Sequence, residues 1–187
     1  MPEKVKAVCR VGKWHDIEVE DDVTIYAASP NGATGVFITT TGDCPGTNRL
    51  EITLERAKLI CEDNKLRMYV LENNTKDIIY KSEDGFAKTD GEWIEVELEG
   101  ANDQHSGVMN AFAGNILRGE ELIAKGEEGI NGLTISNAAF LSSWLGKTVE
   151  LPLDEDLFYN MLQEKIKNST YVKTVEEKVN EDMSSTY

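Results

Sequence analysis

The chain lacks the features of a membrane protein, a disulfide-stapled secreted domain or a nucleic-acid binder. It has no apolar run of about 18 or more residues, so we expect no membrane span. Three cysteines without C-x-x-C spacing, Cys9, Cys44 and Cys61, make a poor disulfide framework and indicate a reducing, cytoplasmic location. The formal net charge of −15 and the absence of a basic cluster argue against nucleic acid and anionic membranes as partners.

Several catalytic signatures are also missing. The 187 residues contain no G-x-G-x-x-G dinucleotide loop, no phosphate loop, no G-x-S-x-G elbow and no H-E-x-x-H zinc motif. Only two histidines are present, so a catalytic triad or a histidine-based metal site would have to use His15 or His105. From these residues alone we assign no catalytic, cofactor-binding or metal-binding residue.

Hydrophobic periodicity divides the chain into a strand-rich front and a helix-rich back. Alternation predicts strands over 4–11, 17–21, 23–29, 35–41, 50–55, 57–61, 65–72, 77–82 and 92–98. Helical spacing predicts helices over 104–118, 130–145 and 154–167. Strands followed by helices indicate an α+β fold, which we expect to be a large, mostly antiparallel (mixed) open β-sheet with helices packed on one face. We expect one domain over 1–168 and a polar C-terminal tail over 169–187, in which spaced valines suggest a weak helix.

His15 is the first candidate functional residue. A histidine beside an acid such as Asp16 is a potential proton-transfer pair. Neighbours along a strand point to opposite faces, however, so these two should not pair, and a histidine satisfied at a strand start is the simpler interpretation. The acidic residues Asp16, Glu18 and Glu20 would share one strand face, which favours a solvated or partner-facing surface over a metal site.

Two further polar groups are candidates for binding a small ligand. Asn48 and Arg49 follow the loop at 42–46, where they could hold hydroxyls or a carboxylate of a polar molecule, or could simply anchor the loop. His105 lies among Asn102, Asp103 and Gln104 at a predicted helix start, where helix capping is the plainer alternative.

Residues 11–52, VGKWHDIEVEDDVTIYAASPNGATGVFITTTGDCPGTNRLEI, resemble the C-terminal domain of the Gfo/Idh/MocA family. This is the glucose–fructose oxidoreductase and inositol dehydrogenase family of NAD(P)-dependent oxidoreductases. The segment 102–162 is similar to the closing helical part of the same domain, with a helix to residue 118, a second helix over 129–146 and a Leu-Pro strand end at 149–152. The match covers essentially 1–166.

The resemblance implies a partial enzyme. In the family, a Rossmann domain with the glycine-rich cofactor loop and a Glu-Lys-Pro lysine precedes the matched region. NAD or NADP would then be held by that domain in the full-length enzyme and not by this chain, which we expect to be inactive alone. An excised domain is favoured over a split or degenerate gene.

The resemblance also implies two roles for the domain. One face of its sheet would wall the pocket of a sugar, cyclitol or related polyol undergoing hydride transfer, with His15, Asn48, Arg49 and His105 as substrate-binding residues. The other face would form a homodimer or tetramer. Two alternatives remain open: a stand-alone dimeric binding or scaffold domain, and a small hydrolase or isomerase using His15 or His105 with a carboxylate.

Overall fold

The computed structural model describes residues 1–98 and 103–172, which form two compact units. The first unit joins Met1–Gly42 to the described residues from Ala124 onward, and the second is Asp43–Ile123. The elements are β1 (Lys4–Val11), β2 (Glu20–Ala28), β3 (Thr34–Thr40), β4 (Arg49–Thr53), β5 (Ala57–Glu62), β6 (Lys65–Leu71), α1 (Thr75–Lys81), β7 (Gly91–Val96), α2 (Gln104–Arg118), α3 (Gly129–Leu145), β8 (Val149–Glu150) and α4 (Glu155–Asn168).

The first unit is a four-stranded antiparallel sheet, in the order β3-β2-β1-β8, with α3 packed on one face. Because side chains alternate along a strand, the odd-numbered residues of β1 and β2 share that face. They pack against small residues of α3, which let the helix approach the sheet closely. The buried core consists of Val5, Ala7, Ile25, Ala138, Ala139, Leu141 and Val149.

Serine hydroxyls of α3 complete the hydrogen bonding of β1. The short strand β8 pairs with β1 over only two residues, so the rest of that strand edge needs other partners. The Ala7 amide donates to the Ser142 hydroxyl at 2.9 Å, and that hydroxyl donates to the Lys147 carbonyl at 2.6 Å. The Cys9 amide donates to the Ser143 hydroxyl at 3.0 Å. The helix therefore contributes hydrogen bonds to the sheet as well as apolar surface.

Replacing Ser142 with alanine should destabilise the protein more than its size change suggests. The side chain is fully buried, and its loss leaves the Ala7 amide and the Lys147 carbonyl without this partner. We expect the free energy of unfolding to fall by about 1–3 kcal/mol in urea titrations. Ser143→Ala is the matched control, since that residue is only half-buried and water can replace it. An equal loss in both variants would contradict this account.

The second unit contains an antiparallel sheet in the order β4-β5-β6-β7. Strands β5 and β6 meet at a tight turn in which Asp63 and Asn64 have positive φ angles of 52° and 56°. The register divides most of its side chains by chemistry. One face carries the charged residues Arg49, Glu51, Lys58, Glu62 and Arg67 together with Ile60, Tyr69 and Trp93. The opposite face carries Leu50, Ile52, Leu59, Cys61, Leu66, Met68, Ile94 and Val96, with Glu92 as its one charged strand residue. We call the second group the apolar face.

The predicted α+β class is confirmed, with the strands divided between two four-stranded sheets. The helices predicted over 104–118, 130–145 and 154–167 agree with α2, α3 and α4. Residues 169–172 are not helical, and 173–187 and Asn102 lie outside the described residues, as does the helix suggested there.

The strand predicted over 77–82 is wrong, because the segment is the helix α1. Its alternation of polar and apolar residues is short, and local helix signals prevail. The Asn74 side chain accepts a hydrogen bond from the Lys76 amide at 2.8 Å and caps the first turn. Asp77 and Lys81, four residues apart, form an ion pair at 3.1 Å.

The separate strand predicted over 17–21 is also wrong. The chain turns at Gly12, whose φ is +59° and where a Cβ would lie 2.9 Å from the Ile17 carbonyl oxygen. Residues 12–19 consequently form a loop, and only Glu20 onward pairs as β2.

Candidate functional site

A buried carboxylate at the start of β2 organises the loop over residues 12–19. Asp21 is 4% exposed. Its Oδ1 accepts the Lys13 amide at 2.9 Å, and its Oδ2 accepts the amides of Trp14 at 2.7 Å and His15 at 3.0 Å. Burial by itself would raise the pKa of Asp21, but the three amides and the His15 ring lower it to about 2. The carboxylate is therefore ionised at neutral pH and fixes three consecutive residues.

His15 is held by the same carboxylate. Its Nδ1 lies 3.4 Å from Asp21 Oδ2 and 3.1 Å from the Thr41 hydroxyl, while the side chain remains 51% exposed. An ionised carboxylate can only accept, so this contact favours the tautomer with the proton on Nδ1 and leaves Nε2 as an acceptor. Asp16 is not its partner, as expected; the partner is Asp21, six residues farther along the chain.

The neighbouring tryptophan packs against the end of β3. A Cβ placed on Gly42 would lie 2.3 Å from the Trp14 ring, so only glycine allows this contact. On the ring, the Lys13 ammonium lies 4.7 Å from the centroid, and it also pairs with Asp22. The loop is thus fixed through both its backbone and its side chains, which suits it to present His15 in one orientation.

The other three candidate residues lie in the second unit. Arg49 begins β4 and forms ion pairs with Glu51 at 2.7 Å and Glu62 at 2.9 Å. Its hydrogen bond is the largest cause that lowers the pKa of Glu51 to about 2, followed by that of Lys58. The guanidinium of Arg49 therefore links strand β4 to strand β5 on the face of the sheet opposite the apolar face.

Asn48 is exposed just before β4, and His105 is exposed in the first turn of α2. The structure thus brings Asn48 beside Arg49 and places His105 on another element of the same unit. His15 belongs to the first unit. A substrate-binding role for these four residues stays a prediction.

A groove of about 950 Å³ in the first unit was not expected from the sequence. Three aromatic rings form its floor: Phe140 and Trp144 stack at 5.9 Å between centroids, and Trp144 and Phe158 at 5.4 Å. We call it the aromatic groove. Further lining residues come from the end of β1, the loop before β2, α4 and the segment after α4: Val11, Ile17, Glu18, Leu162, Ser169 and Tyr171. Leu141, on the same helix as Phe140 and Trp144, is instead buried in the core.

The described residues offer little for a metal or a dinucleotide. Within 1–98 and 103–172, no three histidine, cysteine or acidic residues converge as metal ligands. The strand pairs of both sheets are antiparallel, whereas a dinucleotide fold needs parallel strands joined by a glycine-rich turn and a helix. None of the described helices has the length and apolar character required to traverse a bilayer.

Comparison with known proteins shows the fold. The sequence matches no protein-family model and no curated protein. Among solved structures, the aldose-aldose oxidoreductase from Caulobacter crescentus, complexed with glycerol, aligns with a TM-score of 0.60 and 20% identity over 80% of this chain and 41% of its own. An oxidoreductase domain protein from Kribbella flavida aligns with a TM-score of 0.57 and 18% identity, over 81% and 45%. An NAD-binding protein from Listeria innocua gives 0.56 and 16%, over 80% and 41%.

The chain shares its fold with part of these proteins. It spans about two fifths of the length of the Caulobacter and Listeria proteins and 45% of the Kribbella protein. The resemblance recognised in the sequence is thereby confirmed at the level of the fold.

The pH dependence of stability should report the Asp21 carboxylate. Its pKa is about 2, against an ordinary value of 3.8, so its contribution is fully present above pH 3.8 and is lost as the pH falls toward 2. In Asp21→Asn, an NH2 group takes the place of one carboxylate oxygen. This donor then faces backbone amides of residues 13–15 that are donors themselves, so hydrogen bonds are lost. We expect lower stability at neutral pH and a flatter decline between pH 3.8 and 2, measured by thermal unfolding.

The control for this experiment is Asp16→Asn, an exposed residue of the same loop. It should keep both the neutral stability and the acid decline of the original protein. An unchanged acid decline in Asp21→Asn would show that this carboxylate does not govern it.

Proposed function

We propose that the chain is the substrate-binding and oligomerisation domain of an NAD(P)-dependent oxidoreductase acting on a sugar, cyclitol or related polyol. The observation that carries this proposal is the fold shared with solved oxidoreductases over 80% of the chain, while the chain spans only 41% of the Caulobacter protein. The unmatched part of such a protein is long enough to hold a nucleotide-binding domain. The glycerol in the Caulobacter complex is a polyol, which supports this substrate class.

The nicotinamide cofactor belongs, in this proposal, to a separate Rossmann domain. Antiparallel sheets without a glycine-rich turn do not fit a dinucleotide, so no step through the cofactor is assigned to these residues. When bound to its own domain, the cofactor accepts or supplies the hydride. The domain described here would bind and orient the substrate.

The substrate wall would draw on His15, Asn48, Arg49 and His105. His15 suits this role best, because Asp21 fixes the ring and leaves Nε2 able to accept a hydrogen bond from a hydroxyl. Asn48 offers an amide that both donates and accepts. The guanidinium of Arg49 already forms ion pairs with Glu51 and Glu62, so in this proposal Arg49 would hold the neighbouring Asn48 in position.

Oligomerisation would use the apolar face of the second unit. Leu50 and Ile52 on this face are 59% and 42% exposed. Among the strand residues that the register places on this face, Glu92 on the last strand carries the one charge, so two copies of a chain of net charge −15 can meet there with little apposition of like charges. A second copy of the chain is therefore the occupant that this surface suits best.

A charge on the apolar face should weaken self-association. Leu50→Glu places a carboxylate where the partner copy would bury it, and we expect the dimer dissociation constant to rise at least about tenfold in sedimentation velocity. Thr53→Glu adds the same charge on the opposite face of β4 and should leave the constant unchanged. Equal weakening by both substitutions would point to general repulsion and not to an interface.

Cofactor and substrate binding by the chain test the proposed role directly. Titration with NADH and NADPH by calorimetry should show no binding, and the DNA upstream of Met1 should encode a Rossmann domain.

With that domain attached, the protein should oxidise a polyol or reduce the corresponding carbonyl, and His15→Ala should raise KM. Tight NADH binding by the isolated chain, or an unrelated upstream sequence, would overturn the assignment. Dimers without any such companion domain would favour the stand-alone scaffold.

A further inference from the structure

One carboxylate ties the residues after α4 to the loop before β2. Glu18 Oε2 accepts the Ser169 hydroxyl at 2.5 Å, and Glu18 Oε1 accepts both the amide and the hydroxyl of Thr170 at 3.1 Å. All three partners are donors, which matches a carboxylate that can only accept. These hydrogen bonds, that of Ser169 foremost, lower the pKa of Glu18. The contact joins positions 151 residues apart in the sequence.

This contact lies at the aromatic groove. Glu18, Ser169 and Tyr171 all line the groove, whose floor is the stack containing Trp144. Residues 169–172 belong to no helix or strand. They are therefore fixed at the groove by donors to Glu18 and not by a backbone ladder.

We propose that residues 169–172 are a releasable strap, held against the aromatic groove by Glu18, and that breaking this contact exposes the aromatic floor. Hydrogen bonds between exposed groups are exchanged for hydrogen bonds to water at a small net cost, so this contact can open while the protein stays folded. None of the core residues that join α3 to the sheet takes part in it. Opening is thus a local event with a defined hinge at the end of α4.

Amide hydrogen exchange on the 187-residue chain tests the strap. In Glu18→Gln the amide keeps one acceptor oxygen and turns an NH2 group toward a donor of the strap. We expect exchange at Thr170 and Tyr171 to accelerate about tenfold, with exchange in β1 and α3 unchanged. Glu20→Gln is the matched control, because Glu20 also lines the groove but lies within β2. Unchanged exchange in Glu18→Gln, or equal acceleration in Glu20→Gln, would overturn the proposal.

Exposure of the floor is measured independently by acrylamide quenching of Trp144. A background of Trp14→Phe and Trp93→Phe leaves this single indole, and Glu18→Gln in that background should increase the quenching constant. The double replacement of Ser169→Ala and Thr170→Val removes the hydroxyl donors from the other side and should give the same increase. Combining both changes should add nothing further, since the contact is already broken. Faster exchange without increased quenching would show that the segment opens but does not cover the floor.

Discussion

The fold of the first unit depends on how one strand completes its hydrogen bonding. Strand β1 has β2 on one side, but β8 covers only two residues of the other side. The rest of that edge is satisfied by α3, whose Ser142 hydroxyl accepts the Ala7 amide and donates to the Lys147 carbonyl. Because a buried amide cannot be left unpaired without cost, the helix is fixed in translation and rotation, not merely attracted to an apolar surface.

The candidate site follows from that placement. With α3 held on the sheet, Leu141 faces the core, while Phe140 and Trp144 on the flank of the helix build the floor of the aromatic groove. At the other end of β1, Asp21 plays a comparable part for the loop that carries His15. Two buried polar side chains, Ser142 and Asp21, thus set the positions of the groove and the histidine.

The sequence predicted most strands and helices because their periodicities are long and regular. Residues 4–11 alternate, and 104–118 repeat with helical spacing, as the structure has them. The prediction failed where the pattern was short. Residues 77–82 alternate as in a strand, but the Asn74 cap and the ion pair between Asp77 and Lys81 stabilise the helix α1 there. A pattern of alternating residues takes no account of a helix cap such as Asn74, which precedes the alternating segment.

The site was less predictable than the fold. His15 could be selected as a rare titratable residue. Its partner Asp21 could not, because a strand was expected over 17–21, whereas the chain reverses at Gly12 and brings the two side chains together. The strand pattern predicts a solvated or partner-facing surface for Glu18, whereas its carboxylate accepts a hydrogen bond from Ser169, 151 residues farther along the chain. Contacts between positions so distant leave no trace in a single sequence.

The separation of charge from apolar surface in the second unit has a consequence for solution behaviour. Two chains of charge −15 repel each other at long range, and that repulsion weakens as dissolved ions screen it over about 10 Å at 0.1 M ionic strength. The attraction of an apolar sheet surface acts only on contact and is little affected by moderate salt. If the chain dimerises through this face as proposed, its association should therefore be weaker at low ionic strength and stronger as salt is added.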